Sequence, residues 1–232
     1  MRILVLVPYT SAYPYERAMR ASLEAYMATR HELLPYFIQL RDQVEPIVIN
    51  GLDMWLRGEE TITPGILIKT ICALEYCFAA GVEFDWVVRA NISTAINFAR
   101  FPYGELAAVG CEYAGSRIGF VNDIPFVSGT DITLSRRGAQ LLLQNKHTFD
   151  YSVNEDVAIA HLFNQLGIRP YLIKNSRREM HGAPYGEYRN EEISYAEVTP
   201  GMVAGGYTYR HRTDDRDADA RQLATVISTF EQ

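Results

Sequence analysis

The chain has 232 residues, 48% of them hydrophobic, enough to fill the core of one large α/β domain and too much for a disordered polymer. Its 22 Lys and Arg against 28 Asp and Glu leave a formal charge of −6, which excludes a global basic field for nucleic acid or anionic membrane and leaves open only a local basic groove. Cys72, Cys77 and Cys111 form no CxxC pair; they read as free thiols in a reducing, cytoplasmic setting, two of them inside a helical pattern.

Ile3 to Val7 is a continuous apolar run stopped by Pro8. It is too short for a signal-peptide core or a membrane span, and it has the pattern of a strand buried on both faces of a parallel sheet. A loop from Tyr9 to Pro14 follows, then a predicted helix from about Tyr15 to Thr29 and extended segments at Leu33 to Leu40 and Pro46 to Ile49. Thr63 and Pro64 open the clearest helix, with Thr63 as N-cap and Pro64 at the first helical position. Leu67, Ile71, Leu74 and Phe78 form its stripe and Gly81 ends it.

Phe84 to Arg89 reads as a second buried strand leading into a loop or helical turn that carries Asn91 to Phe98. Extended pieces are expected near Leu106 to Val109 and Phe120 to Val127. Ser135 caps a helix running to about Asn145, and Asn154 caps another with the stripe Ile159, Leu162, Phe163 and Leu166 before Gly167. Arg169 to Lys174 is a late strand, and Asn175 to about Tyr209 has the composition of a long loop around a site. Alternating strands and helices predict an α/β, mostly parallel, doubly wound sheet whose ligands lie beyond the carboxyl ends of the strands.

Three clusters of residues could carry chemistry. The joint from Arg89 through Asn91, Ser93 and Thr94 delivers small polar groups to the sheet's carboxyl edge, although an Asn/Ser turn capping the next element would look the same. Glu155 and Asp156 occupy the first turn of a helix, where complementing the helix dipole is the plainer explanation. A base that takes a hydroxyl proton only as bond formation proceeds would also fit there. In the tail, Tyr209, Arg210, His211 and Arg212 include forked guanidinium groups suited to diphosphate oxygens, or they form a solvated strand before a charged terminal helix. Lys69, opposite the apolar stripe of its helix, reads as a solvated side chain. No Walker A loop, GxGxxG, HExxH or GxSxG pattern occurs.

Taken in order, these segments resemble the beta-1,3-galactosyltransferase and fringe family of glycosyltransferases over roughly residues 60–182. Ile66 to Tyr76, with its Lys69-Thr70 pair, followed by Phe84 to Arg89, is similar to that family's helix and the strand leading to its acidic triplet. Val127-Ser128-Gly129 with Leu134-Ser135 is similar to its acceptor-side Ser-Gly segment, and Glu155-Asp156-Val157 to its Glu-Asp-Val motif. The resemblance implies one GT-A-like, Rossmann-related domain over 1–232, with 175–232 as a loop and tail closing over the site. It also implies transfer of a sugar from a nucleotide sugar, UDP-linked, to an acceptor hydroxyl. The transfer would invert at the anomeric carbon, with Asp156 as base and Glu155 beside it.

The donor would lie near Pro8, Tyr9, Thr10 and Ser11, with its diphosphate near Arg89, Asn91, Ser93, Arg210 and Arg212; Ser128 and Gly129 would lie on the acceptor side. Where the family has three acids holding Mn²⁺ or Mg²⁺, this chain has Asn91, Ile92 and Ser93, and neutral oxygens give up the charge a hard dication wants. His181, 25 residues beyond Asp156, keeps a weak site with Asn91 and Ser93 open. With no metal, arginines would neutralise the leaving diphosphate. A cytosolic chain with no membrane anchor departs from the secretory members of that family and suggests a bacterial or viral enzyme, whose acceptor would be a saccharide, a glycolipid precursor or a hydroxymethylated base in viral DNA. The alternative is an inactive GT-A domain that binds a nucleotide sugar or glycan.

Overall fold

The computed structural model describes residues 1–10, 14–173, 207–210 and 215–230. The first apolar run is β1 (Ile3–Pro8), buried along its whole length. It pairs in parallel with β2 (Leu33–Arg41) on one side and β5 (Trp86–Ala90) on the other. β4 (Asp53–Arg57) continues the sheet past β2 in parallel and β3 (Ile47–Asn50) closes that edge antiparallel. Beyond β5 lie β10 (Asp131–Ser135), antiparallel, then β7 (Tyr113–Gly115) and the short β11 (Tyr171–Leu172).

The result is an eight-stranded sheet in the order β11-β7-β10-β5-β1-β2-β4-β3, in which only β10 and β3 run against the rest. Period-2 alternation divides β1 between two cores. Ile3, Val5 and Val7 face α1 (Glu16–Thr29) and α6 (Arg216–Phe230). Leu4 and Leu6 face α2 (Gly65–Ala79), α4 (Arg136–Gln144) and α5 (Glu155–Gln165). This is the three-layer arrangement expected of a sheet whose central strands are apolar throughout. Among the described residues, no helix is long and apolar enough to cross a membrane.

Several elements differ from expectation. Tyr103 to Ala108 forms α3, a short helix after Pro102 that buries only Leu106, where an extended piece was expected; Glu105, Leu106, Ala107 and Ala108 are all good helix formers. β4 was not foreseen. The α2 N-cap is Pro64, and Thr61 Oγ1, not Thr63, accepts the Gly65 N–H at 3.0 Å. The joint after β5 becomes β6 (Thr94–Ile96) and a 3-10 turn at Phe98–Arg100. β6 pairs antiparallel with β12 (Thr208–Arg210). Asn154 is the N-cap of α5 by position only; its Oδ1 accepts the Thr63 hydroxyl at 3.0 Å. Ser135 does cap α4, accepting the Gly138 N–H at 3.0 Å. Most of the loop predicted from Asn175 to about Tyr209 lies outside the described residues, and at its end Thr208 and Tyr209 belong to β12 instead.

A hairpin of β8 (Ile118–Val121) and β9 (Ile124–Val127) precedes β10. Its turn residues Asn122 and Asp123 both have positive φ, at 47° and 62°, the geometry of a two-residue hairpin loop and one that Asn and Asp tolerate best. Tyr113 anchors the hairpin's return. Its ring stacks on Phe163 with centroids 4.6 Å apart, and its hydroxyl accepts the Val127 N–H at 2.8 Å. The Ser128 to Thr130 turn therefore leaves a fixed point at the sheet's carboxyl edge.

Candidate active site

That turn is where the polar groups gather. Asn91, just past the end of β5, donates its N–H to the Thr130 carbonyl at 2.9 Å. Arg210 reaches the same residue from β12, Nη1 to Thr130 Oγ1 at 3.2 Å, and Thr130 Oγ1 also lies 3.1 Å from Ser128 Oγ. Asp156 Oδ2 accepts the Gly129 N–H at 3.0 Å while Oδ1 accepts the Val157 N–H at 3.0 Å. Arg89 Nη1 donates to the Gly129 carbonyl at 2.6 Å. Asn91, Arg89, Ser128, Asp156 and Arg210, from β5 and its exit, α5, β12 and the turn itself, thus meet within three consecutive residues. The Cβ of any larger residue at 129 would lie 3.1 Å from Arg89 Nη2 and 3.5 Å from Asp156 Oδ2, close enough to press on the Arg89 guanidinium.

Arg89 is turned inward. It is 4% exposed, and its Nη2 is ion-paired with Glu155, whose other oxygen accepts the Thr70 hydroxyl at 2.6 Å. Burial draws the Arg89 pKa down to about 10, with Asp156, Asp131 and Tyr113 pulling it up, so it stays a cation at neutral pH. A buried charge of this kind is tolerated because it is paired and hydrogen-bonded. The fork expected to face a diphosphate is occupied by protein.

Lys69 corrects its sequence reading outright. It is 1% exposed, because its side chain runs beside the stripe that packs on the sheet and ends among Tyr9 and Glu60 at the ends of β1 and β2. Its Nζ donates to the Tyr9 carbonyl at 3.1 Å and pairs with Glu60, which in turn accepts the Leu40 N–H at 2.8 Å. Burial lowers the pKa of this ammonium, Glu60 raises it and Arg89 lowers it further. Pro8 ends β1 buried. Tyr9 is 6% exposed, its hydroxyl donated to Asp53 at 3.2 Å, and its ring meets Phe37 edge-on. It therefore offers a ligand no open ring face. Thr10 follows at the strand exit; Ser11, His181 and Arg212 lie outside the described residues.

Asn91 Oδ1 accepts both the Ser93 N–H at 3.1 Å and the Ser93 hydroxyl at 2.9 Å, so the joint is the Asn/Ser turn that local sequence allowed. These contacts bear on a metal. Asn91 and Ser93 are satisfied by each other, and Glu155 is held by Arg89 and Thr70. Among the described residues, no three His, Cys, Asp or Glu side chains cluster as metal ligands. The described donor set does not fit a hard dication.

Two groups here escaped sequence reasoning. Thr130 is the hub, and its signal was simple adjacency to Ser128-Gly129. Asp131, fully buried, accepts the Ser116 N–H at 3.0 Å and the Ser116 hydroxyl. An acid opening the strand segment Ile132-Thr133-Leu134 was the available hint. The described part of the tail divides: β12 brings Arg210 to the turn, whereas α6 packs on the α1 side through Leu223, Val226 and Ile227.

An eight-stranded, mostly parallel sheet between helical layers, with its polar groups at the carboxyl edge, is a GT-A-like, Rossmann-related α/β fold. Among solved structures the chain is similar to a glycosyltransferase involved in the glycosylation of the major capsid of PBCV-1, at 10% identity and a TM-score of 0.53, covering 97% of this chain and 100% of that one. A second structure, A197 from STIV, aligns at 12% identity over 75% of this chain and 82% of that one, with a TM-score of 0.43. No protein-family model and no curated protein matches the sequence.

Proposed function

We propose that the chain is a glycosyltransferase that moves a sugar from a nucleotide sugar, UDP-linked, to an acceptor hydroxyl, with inversion and without a tightly held metal. The observation that carries this reading is Asp156: a half-buried carboxylate on a GT-A-like fold, at the start of α5, with each oxygen oriented by one backbone N–H. A carboxylate has roughly four acceptor sites, so two remain for substrate. The acceptor hydroxyl gives its proton to Asp156 while its oxygen attacks the anomeric carbon. The bond from that carbon to the diphosphate oxygen breaks with its electron pair, and the nucleoside diphosphate leaves.

Positive charge near the departing diphosphate is supplied by Arg210, half-buried beside Thr130, with Arg212 two residues further on in sequence; fixed charges of this kind act where charge develops. The acceptor is a saccharide or glycolipid precursor, in keeping with the capsid-glycosylation role of the PBCV-1 neighbour. A net charge of −6 disfavours DNA.

Nucleotide release from a panel of nucleotide sugars, measured with EDTA and with Mn²⁺, tests the reading. The expected result is release from a uridine-linked donor that persists in EDTA and falls about 10³-fold in Asp156→Asn, the scale of a lost general base. Absence of release under every condition, with the donor still bound, would make this an inactive sugar-nucleotide-binding domain.

A further inference from the structure

Arg89 occupies the last turn-facing position of β5, yet both terminal nitrogens of its guanidinium point at protein: the Gly129 carbonyl and Glu155. Its Nε is also enclosed, with no hydrogen-bond partner among the described residues, so within them no edge of the fork opens toward a ligand. An arginine that recognises phosphate presents that edge.

We propose that Arg89 is a positioning residue that builds the base, holding the Ser128 to Thr130 turn against the first turn of α5 so that Gly129 orients Asp156. The inference rests on the reading of Asp156 as the base. Glu155 and Asp156 are consecutive on a helix and project about 100° apart around its axis. One therefore points inward to Arg89 and Thr70 while the other meets the turn. Gly129 uses both halves of its backbone in the same link, its carbonyl on Arg89 and its N–H on Asp156. The result is a continuous chain, Thr70 to Glu155 to Arg89 to Gly129 to Asp156, running from α2 through α5 and β5 to the reacting carboxylate. If one link is removed, the base loses its orientation but the diphosphate loses no ligand.

The test compares the full chain with Arg89→Met/Glu155→Gln, which removes both buried charges together, and with Thr70→Val, which leaves the ion pair and removes the hydroxyl that reaches Glu155 and, within its own helix, the Ile66 carbonyl. Three readouts are followed: hydrogen exchange at the Gly129 amide, kcat for the donor found above, and the Kd for UDP. In the double variant, Gly129 protection is expected to fall at least about tenfold. Turnover should fall about 10²-fold, as for a misplaced catalytic group, while the UDP Kd moves less than roughly threefold. Thr70→Val should show the same pattern at lower amplitude, and it decides the matter if the double variant does not fold.

A UDP Kd that weakens in step with kcat would make Arg89 an anion ligand and overturn the proposal. Unchanged Gly129 protection in a folded variant would overturn it equally. Should the wild-type chain turn over no nucleotide sugar, it is the glycosyltransferase reading that fails, and the exchange measurement still decides whether the clamp exists.

Discussion

Tyr9 and Lys69 show how side chains at the end of one strand are used from within. Tyr9 is held by Asp53, itself paired with Arg20 at 2.8 Å, and Arg20 lies 4.2 Å over the Phe37 ring. Burial, with the Asp53 and Glu16 charges adding to it, raises the Tyr9 phenol to about 12, whereas an unfolded tyrosine ionises near 10. Between those values unfolding releases a proton, so this group's stabilising contribution is intact below pH 10 and is lost as pH rises towards 12. Tyr9→Phe should start less stable by about 1 kcal/mol from the lost hydrogen bond. It should then lose less stability than wild type between pH 9 and 11. Urea midpoints at both pH values check this; an identical pH slope in the two proteins would refute it.

At the level of elements, the site depends on how closely β7, β9 and β10 approach one another and on how firmly α4 and α5 begin. An added Cβ at Gly115 would lie 2.8 Å from the Asp131 carbonyl oxygen, a backbone atom that cannot swing aside. Gly115→Ala should therefore cost about 1–3 kcal/mol as β7 is pushed from β10, read as a lowered Tm; an unchanged Tm would contradict this packing. Ser135→Ala removes the acceptor for the Gly138 N–H at the start of α4, and urea unfolding should register a loss of about 1 kcal/mol, typical of an N-cap. The same removal at Asn154 should cost less, since its side chain makes no capping bond to α5.

For the molecule as a whole, the two cores share the strands between them, and this predicts one cooperative transition. Leu23→Ala on the α1 side and Leu6→Ala on the α2 side should each cost about 2–5 kcal/mol and shift the same transition. Circular dichroism and tryptophan fluorescence should give coincident urea curves for both variants; separate transitions would show that the layers unfold independently.

The elements legible in advance are those whose burial is written in local periodicity. β1 is apolar at every core position, and α2 and α5 carry stripes that need only a partner surface. β4 escaped because its inward Met54 and Leu56 alternate with polar or aromatic neighbours over only five residues. α3 escaped because a single buried leucine makes no stripe. Within the candidate site, Asn91 and Asp156 were marked by residue type at element ends, where an α/β sheet gathers polar groups, whereas Ser128 and Gly129 were marked only by the family resemblance. What sequence could not indicate was the direction of the long cations. Lys69 and Arg89 lie on ordinary-looking polar positions, and whether such a side chain meets water or protein depends on which distant segments arrive there. Glu60 and Tyr9 close over Lys69, and Gly129 and Glu155 over Arg89. Sequence by itself determined the layered fold and the edge of the sheet at which polar groups gather, because hydrophobic period and element ends are local properties. Only the tertiary structure decided which charges face that edge and which are enclosed behind it, because burial of a charge depends on partners brought together from across the chain.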